Sequence, residues 1–583
     1  MTPPDEASHR AGMRGSAAPG IFAAAGLIAV VTLAARVFGF GRWLVFSQSV
    51  GTTCVGSVYQ AANQLPNVVF EVAAGGALAA VTVPIIAGQL ARKDHDEATR
   101  TASAMLTWAL TILVPLSVLV AAAAGPMSNA LVDNQQCSGS TDLMASMLVV
   151  FAPQIALYGV GIVLAGVLQA HRRFLAAAMA PLLSSAVVVV AYLAYAALAE
   201  GQGENLARLP DHASTVLAAG TTLGVVALSL PLLIPVRRAG IRLRPTWTFP
   251  DGVARRARAL AGAGLLALVA QQVTVLVTLW VSQHRGGTGT LNVYTYVQAV
   301  YLLPYAVLAI PVATAAFPAL ATGSEQALAT GSEQASPATG PDRAVPETAI
   351  DPDPVLRAQR TLASATRAII VATSAGAAVL LAIASPTGAF FSALDAGRDS
   401  PAGREALAAL PDALSAFAPG LVGFGLAALF SRALYVRGRP GVAGGVVALG
   451  WLIAAIVPLV VLHDNAGPRN TLQSLGVASS IGMTVAAGAL WFAVHRAWGP
   501  RAFQGIGRTV VVAVGSGALA AAAGHAVAVG LNPNGLASGA AVAVLVAIAV
   551  VTLFAVCVWI GDRGSARLVV AQIAGRAKRR GTQ

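Results

Sequence analysis

Residues 34–43 read AARVFGFGRW and lie inside an apolar run that extends from about Ile21 to about Val50. The run is too long for a signal peptide and lacks a small-residue cleavage pattern, so we predict a retained membrane helix. Arg36 and Arg42 fall within it, although an arginine at the centre of a bilayer costs at least about 2.5–3.5 kcal/mol on insertion scales. Such charges usually face a polar cavity, a partner or a transport pathway. The stretch therefore predicts a membrane protein and also a site.

The composition agrees with a membrane protein. Of the 583 residues, 56% are hydrophobic and 10% are charged, and the mean hydropathy is +0.72. A compact soluble core cannot bury that much apolar surface, and repeated apolar runs of roughly 20 residues are typical of polytopic helical proteins. The 59 glycines favour close approach of helices. We therefore predict an all-α polytopic membrane protein.

Hydropathy divides the chain into fourteen predicted spans. The second and eighth carry prolines, Pro66 with Pro84 and Pro304 with Pro311, which predict tilts or kinks. The predicted spans cover about 21–48, 54–88, 103–124, 142–170, 174–198, 213–236, 256–283, 291–319, 361–385, 413–436, 441–462, 471–495, 506–530 and 536–560.

The basic residues predict the orientation of these spans. Of the 37 lysines and arginines, 30 lie in the termini and in alternate loops, five lie in the opposite loops, and two are Arg36 and Arg42. Basic loops remain cytoplasmic, so both termini are expected in the cytoplasm of a multi-pass plasma-membrane protein, which requires an even number of spans. The net charge of +13 is thus explained by orientation, and no nucleic-acid partner is expected.

The spans and loops give the predicted domain organisation. The octapeptide LATGSEQA occurs twice in residues 320–335 and opens a low-complexity linker that we predict to be disordered. The basic segment before the seventh span either lies on the anionic inner leaflet or is a plain loop. The predicted divisions are a cytoplasmic tail (1–20), an N-lobe (21–236), a basic cytoplasmic loop (237–255), a C-lobe (256–495) with a disordered cytoplasmic linker (321–358), two further helices (506–560) and a basic tail (561–583).

Residues for enzymatic chemistry are scarce. Neither lysine, Lys93 or Lys578, follows a glycine, which excludes a P-loop. The cysteines stand alone without a CxxC spacing, so Cys54, Cys137 and Cys557 are predicted to be small apolar filler rather than a metal site or redox pair. We expect no catalytic residue, no metal and no cofactor. The sequence favours transport, or binding without chemistry.

The two embedded arginines suit an anion. A rise of about 1.5 Å per residue places Arg36 roughly 22 Å from Ile21, past the bilayer midplane. Guanidinium carries a permanent charge and a planar fork that fits phosphate. Gly39 and Gly41 lower the local helix propensity and predict a helix that bends during gating. Two alternatives remain open: Arg42 reaches the outer headgroups, or Arg36 pairs with an internal acid or a carbonyl.

Five stretches resemble, in order, the MurJ (MviN) family of lipid II flippases, which belongs to the multidrug/oligosaccharidyl-lipid/polysaccharide exporter superfamily. The resemblance extends over about residues 21–560. The stretches are ARVFGFGRW, NQLPNVVFEVAAGGALAAVTVPIIAG (63–88), PQIALYGVGIVLAGVLQAHRRF (153–174), PYAVLAIPVATAAFPAL (304–320) and FAPGLVGFGLAALFSRALYVRGRP (417–440).

The resemblance implies two six-helix lobes around a central cavity, two extra C-terminal helices that offer the prenyl tail a groove, and transport by alternating access. The implied substrate is lipid II, an undecaprenyl or decaprenyl pyrophosphate linked to a disaccharide-pentapeptide, and membrane lipids and cell-wall synthesis proteins are the implied partners. Arg36 and Arg42 match cavity arginines of the family's first helix. Pro66 and Asn67 match a Leu-Pro-Asn turn, to which we assign a gating role.

The chain also departs from the family pattern. Trp43 replaces a frequent acid, Ser57 a frequent aspartate, and Ala299 an arginine that many members carry. The predicted cationic cavity is therefore thinner than in those relatives. Glu71, the one carboxylate placed deep in a span, is expected either to couple protons or to pair with an arginine. The membrane potential is an alternative driving force.

Three other functions remain open at this stage. A flippase for another polyprenyl-pyrophosphate-linked glycan would use the same phosphate chemistry. A drug or cation exporter of the same superfamily would require embedded acids, which these spans nearly lack. A non-transporting scaffold would recruit cell-wall synthesis proteins without moving a lipid.

Overall fold

The structure is a computed structural model that describes residues 38–132, 137–314, 316–317, 320–321, 354–397 and 400–567. Throughout these residues the secondary structure is helical, and they contain no strand. Arg36, the N-terminal tail, most of the tandem repeat and the C-terminal basic tail lie outside the described residues. So do positions 322–353 of the predicted linker, while its last residues belong to a helix that begins at Pro354.

In the described residues of the first half of the chain there are ten helices. A π-helical segment, Glu71–Gly75, separates α2 from α3, and a short 3₁₀ turn, Leu230–Leu232, separates α9 from α10. The helices are α1 (38–49), α2 (Cys54–Phe70), α3 (Gly76–Ala91), α4 (His95–Ala122), α5 (Ala124–Leu131), α6 (Ser140–Phe151), α7 (Gln154–Ala170), α8 (Phe174–Leu198), α9 (Asp211–Ser229) and α10 (Leu233–Arg238).

In the described residues of the second half of the chain there are twelve helices. The π-helical segments Ser282–Gly286 and Tyr305–Ala309 follow α11 and α12. The helices are α11 (Val253–Val281), α12 (Thr290–Pro304), α13 (310–314), α14 (Pro354–Ala382), α15 (Ala384–Asp395), α16 (Pro401–Ala408), α17 (Leu410–Phe417), α18 (Gly420–Val436), α19 (Pro440–Val461), α20 (Gly467–Trp498), α21 (Ile506–Leu531) and α22 (Leu536–Gly561).

Among the described residues, eleven helices are long and apolar enough to cross a bilayer. The number is twelve if Pro401–Phe417 and Gly420–Val436, which are bent by 48°, form one span. These twelve correspond in order to predicted spans three to fourteen. The first predicted span is described only from residue 38, and a π-helical segment divides the second. The prediction of an all-α polytopic protein is confirmed, whereas the number fourteen is approximate.

The second and eighth spans, where prolines predict kinks, both contain a π-helical segment. Pro304 ends α12, and the segment Tyr305–Ala309 follows directly. Pro66 lies inside α2, five residues before Glu71 begins the other segment. Proline removes an intrahelical hydrogen bond and crowds the preceding turn, and π-helical turns accommodate such defects at functional positions.

The helices pack into two lobes. In the N-lobe α3 and α4 pack on α7, α8 packs on α9, and α2 packs on α6. In the C-lobe α20 packs on α18 and α19, and α11 packs on α19. The lobes meet where α11 lies against α3 and α12 lies against α2. The last two helices pack on each other, α21 also against α14 and α22 against α15, so they extend the C-lobe.

The connection between the lobes, residues 239–252, forms an extended strap along α4. The Thr246 N–H donates to the Thr107 hydroxyl at 3.0 Å, and the Trp247 carbonyl accepts a hydrogen bond from the Trp108 indole at 2.9 Å. Both indoles are exposed, and tryptophan favours the membrane–water interface. The strap is therefore attached to the N-lobe.

Cys54 and Cys137 form a disulfide with Cα atoms 6.0 Å apart. The prediction that they are apolar filler is wrong for this pair, because packing of α2 on α6 brings together residues that are 83 positions apart in sequence. The bond joins the start of α2 to the segment before α6. Cys557 is a free cysteine. We call this side of the molecule the disulfide end and the opposite side, which carries Arg92, Lys93, Arg437 and Arg439, the basic end.

Candidate functional site

Of the two predicted phosphate-binding arginines, the structure describes Arg42 alone. Arg42 lies half-buried on α1, and its guanidinium carbon lies 5.3 Å from the centre of the Trp43 ring. Among the described residues its buried Nε atom has no hydrogen-bond partner, and no acid forms an ion pair with it. Arg42 is thus an unneutralised cation inside the N-lobe.

The glycines of the first helix do not interrupt it. Residues 38–49 are helical through both Gly39 and Gly41. A Cβ atom added at either position would meet no atom within 4 Å, so packing does not require glycine there. Any role of these glycines must come from helix flexibility.

Pro66 and Asn67 lie within α2, which corrects the turn that the family resemblance implies at these residues. The break in the second span comes instead at Glu71, whose backbone N–H contacts the Asn67 and Val68 carbonyls as the helix changes to π-helical geometry. Glu71 is half-buried and has no ion pair with any residue that the structure describes.

A layer of hydrogen bonds joins the two lobes at the disulfide end. The Thr52 hydroxyl donates to the Asp395 carboxylate at 2.5 Å. The Ser57 hydroxyl accepts the Gly289 N–H at 2.7 Å, and its carbonyl accepts from the Gln283 amide at 3.0 Å. All five residues are buried. We call Thr52, Ser57, Gln283, Gly289 and Asp395 the lobe seal.

Close backbone packing supports the lobe seal. A Cβ atom at Gly56 would collide with the Gly51 carbonyl and with the Asn292 amide, which donates to that carbonyl at 2.6 Å. A Cβ atom at Gly403 would collide with the Thr52 carbonyl. The lobes approach this closely only because small residues stand at both contacts.

An aromatic layer lies beside the lobe seal. Phe46 packs against Tyr59 and Tyr192 of the N-lobe at ring-centre distances of 5.6 and 5.3 Å, and against Tyr296 of the C-lobe at 6.3 Å. Tyr296 stacks in turn on Phe391 at 4.8 Å. These rings are buried, so the contact between the lobes is apolar as well as hydrogen-bonded.

Two adjoining cavities, of about 280 and about 490 Å³, lie mainly in the C-lobe. They share four lining residues, Gln271, Phe424, Trp451 and Met483, and we call them together the C-lobe cavity. One part reaches the N-lobe at Gln64. The other extends to Tyr435, which lies one residue before the end of α18 and is 42% exposed.

Of the described residues that line the C-lobe cavity, Arg432 alone carries a full charge. Sequence analysis missed it because it was counted with the basic residues of the next loop. The predicted tenth span, 413–436, already included position 432, and that boundary was the signal that could have found it. Arg42 is not among the residues that line this cavity.

A separate groove of about 510 Å³ is almost entirely apolar. It lies between α14, α18, α20 and α21, and its walls include Ile370, Leu426, Trp491 and Val514. The resemblance implies a tail groove on the two C-terminal helices. The groove here is lined by α21 and by helices of the C-lobe, with no contribution from α22 among its lining residues.

Comparison with solved structures gives the class of fold. A lipid II flippase MurJ in an inward closed conformation matches with a TM-score of 0.66, covering 91% of this chain and 98% of that chain at 15% identity. An inward-facing multidrug resistance transporter of the MATE family and MOP superfamily matches with a TM-score of 0.58, covering 80% of this chain and 98% of that chain at 13% identity. At such identities the likeness shows the fold alone, which is a two-lobed bundle of membrane helices.

The family model described as lipid II flippase MurJ matches residues 46–546. The chain therefore belongs to the MurJ family, and the resemblance found in the sequence is confirmed. A probable lipid II flippase MurJ of Rhizobium meliloti (strain 1021) is 29% identical over 298 residues, 50% of this chain and 53% of that protein. One of Synechocystis sp. is 27% identical over 231 residues, 39% of this chain and 42% of that protein. The chain thus spans about half the length of the curated relatives it matches.

Proposed function

We propose that this protein moves lipid II from the inner to the outer leaflet of the plasma membrane by alternating access. The observation that supports the proposal most directly is the C-lobe cavity, which is lined by the cation Arg432 and reaches the N-lobe at Gln64, while the lobe seal joins the lobes at the disulfide end. Membership of the MurJ family supports the substrate, and the fold supports the mode of transport.

The disulfide supports the proposed orientation. Disulfides persist in oxidising compartments outside the cytoplasm, so the Cys54–Cys137 bond supports an orientation with the disulfide end at the outer face. The loops with most basic residues lie at the other end, as the positive-inside rule requires. In this orientation both termini are cytoplasmic and the C-lobe cavity extends toward the inner leaflet.

In the proposed mechanism the pyrophosphate and sugars enter between the lobes while the prenyl tail stays in lipid. Arg36 and Arg42 hold the pyrophosphate, because a guanidinium without an internal acid gains most by binding an anion away from water. The tail lies along the apolar groove beside α21. Transport then requires the lobes to separate at Thr52–Asp395 and to close at the basic end.

The residues of the proposed mechanism are compatible with two driving forces for transport. The membrane potential acts on moved charge with about 2.3 kcal/mol per charge per 100 mV and needs no titrating group. Proton coupling would need Glu71. A Glu71→Gln variant separates them, since it abolishes transport under coupling and leaves potential-driven transport intact.

The test is the arrival of lipid II at the outer leaflet in cells depleted of the native protein. We expect Arg42→Ala and Arg36→Ala to trap lipid II on the cytoplasmic face at normal protein levels. Arg92→Ala is the matched control, because its side chain is 63% exposed and pairs with Glu97 outside the cavity. Undiminished export with both arginine variants would remove these residues from the mechanism.

The same experiment separates the other functions. A scaffold would disturb growth without accumulation of lipid II, and a flippase for another glycan would trap that glycan's polyprenyl carrier instead. A cation exporter is disfavoured because the C-lobe cavity has no acid among its described lining residues and its charged member there is an arginine.

A further inference from the structure

We infer that Arg432 is an anion-binding residue of the C-lobe cavity and takes a phosphate group of a lipid. A pyrophosphate of a polyprenyl lipid and the phosphate of an anionic phospholipid share this chemistry. The assignment to the pyrophosphate rests on the proposed function, whereas the assignment to a phospholipid does not.

The position of Arg432 leaves most of its donors available. It is half-buried on α18, one turn before the helix ends at Val436. One terminal nitrogen donates to the Ala428 carbonyl at 2.8 Å, which fixes the side chain along the helix. A guanidinium has five N–H groups, so this bond uses one of them. Within the described residues no acid lies within 4.0 Å of the guanidinium.

The cavity wall around Arg432 is polar without being acidic. The neighbouring Ser431 hydroxyl is buried and has no hydrogen-bond partner among the residues that the structure describes. The same holds for the Tyr301 hydroxyl in the adjoining part of the cavity. Gln271 lines both parts and connects them. Buried polar groups without partners are costly, and a phosphate oxygen is an acceptor that satisfies hydroxyl and guanidinium donors together.

Other charges near this end of α18 are also positive, so they do not neutralise Arg432. Arg437 stacks on the Trp498 ring at 4.2 Å, and Arg439 is exposed. Removal of a cation from water is costly, and an opposite charge that reaches it offsets this cost. The cavity is large enough for such a group, and its rim at Tyr435 is open. Arg432 is thus placed to make an early phosphate contact at the basic end of the cavity.

The test measures lipid binding to the purified full chain by native mass spectrometry. Three probes are titrated separately: lipid II, undecaprenyl pyrophosphate and phosphatidylglycerol. Loss of a charge-assisted hydrogen bond predicts that Arg432→Gln weakens binding about 10- to 100-fold for the lipid that uses the site. Arg432→Lys keeps the charge but loses the fork, so we expect a smaller loss. Arg439→Gln is the matched control and should bind as the wild type does.

Each outcome decides the question. Weaker binding of both pyrophosphate lipids assigns the site to the substrate, and weaker binding of phosphatidylglycerol alone assigns it to a phospholipid. Unchanged binding of all three probes by Arg432→Gln overturns the inference, and leaves the proposed function intact if the wild type binds lipid II. A wild type that fails to bind lipid II contradicts the proposed function instead. If Arg432→Gln does not fold, Ser431→Ala must weaken binding of the same probe several-fold for the inference to stand.

Discussion

The hydroxyl of Thr52 donates a hydrogen bond of 2.5 Å to the buried carboxylate of Asp395, and these residues lie 343 positions apart in different lobes. This bond joins the loop after α1 to the end of α15, so it exists only while the lobes are in contact at the disulfide end. Any conformation that opens the cavity on that side must break it.

Replacement of Thr52 by valine should therefore favour the open conformation. A hydrogen bond to a charged group is worth about 1.5–3 kcal/mol, which corresponds to a shift of about 10- to 100-fold in the population of the open state. Spin labels at the exposed positions Glu200 and His463, one in each lobe, report the separation. Ser214→Ala is the control, because that hydroxyl bonds within α9. Identical distance distributions in Thr52→Val and wild type would contradict the gating role of the bond.

Loss of the disulfide should lower stability without any change in the cavity. The Cys54–Cys137 bond links residues 83 positions apart, and such links contribute about 2–4 kcal/mol. We expect the double variant Cys54→Ala/Cys137→Ala to unfold at a lower temperature than wild type, and reductant to bring the wild type to the same midpoint. Cys557→Ala, which removes the free thiol, should have no such effect. A midpoint that neither change alters would show that the bond does not stabilise the protein.

The flexibility of the first helix is tested by Gly39→Ala and Gly41→Ala. Neither added methyl group meets an atom within 4 Å, and alanine stabilises a helix by about 1 kcal/mol relative to glycine. Protein levels should thus be normal or higher, while lipid II export falls if α1 bends during transport. Gly88→Ala, at another glycine with open space, controls for a general effect of the substitution. Full export in both first-helix variants would exclude bending at these glycines.

The last helix should lose stability at low pH through Asp562. Burial raises the pKa of this carboxyl, but hydrogen bonds from Ser565 and Thr509 and the Arg508 charge lower it by more, so the pKa lies below its ordinary value. The ionised form is therefore stabilised in the folded state. This stabilisation is present above about pH 3.9, the unfolded value, and is lost as the pH falls through the depressed pKa.

Asp562→Asn should accordingly lower the thermal midpoint at pH 7, where the Thr509 hydroxyl donates to the carboxylate at 2.7 Å. The difference from wild type should shrink below about pH 4. The exposed Asp251→Asn is the control. A difference that stays constant down to pH 3 would show that the charge of Asp562 is not responsible.

The fold was largely predictable because helices that span a bilayer have a clear pattern in the sequence. Backbone groups in lipid must be satisfied within a helix, so each span appears as an apolar run with polar ends. Predicted spans such as 174–198 and 536–560 differ from α8 and α22 by no more than one residue at either end. The π-helical segment at Glu71 was not predictable, since it depends on how the helices on both sides of it pack.

The site was predictable only in part. Arg42 stood out because it interrupts an apolar run, and no acid among the described residues forms an ion pair with it, while its role in binding stays a prediction. Arg432 also has no ion pair among the described residues, but it adjoins a basic loop and was therefore counted with the residues of that loop. The lobe seal and the disulfide are made by small polar residues and cysteines of distant segments. Such contacts leave no local pattern, because only the tertiary fold brings Thr52 to Asp395 and Cys54 to Cys137.

The strap has a consequence for how the molecule moves. Residues of the strap are hydrogen-bonded to α4. The part of the covalent connection that remains free between the lobes is therefore short and consists of Pro250, Asp251 and Gly252. Gly252 has a φ of 77° and ends the strap at the start of α11. A pivot of three residues holds the N-terminus of α11 at nearly constant distance from α4. If the lobes separate, this tether favours a swing of the C-lobe about that point over a slide, and the disulfide-bearing rim, at the far end from the tether, would then open most.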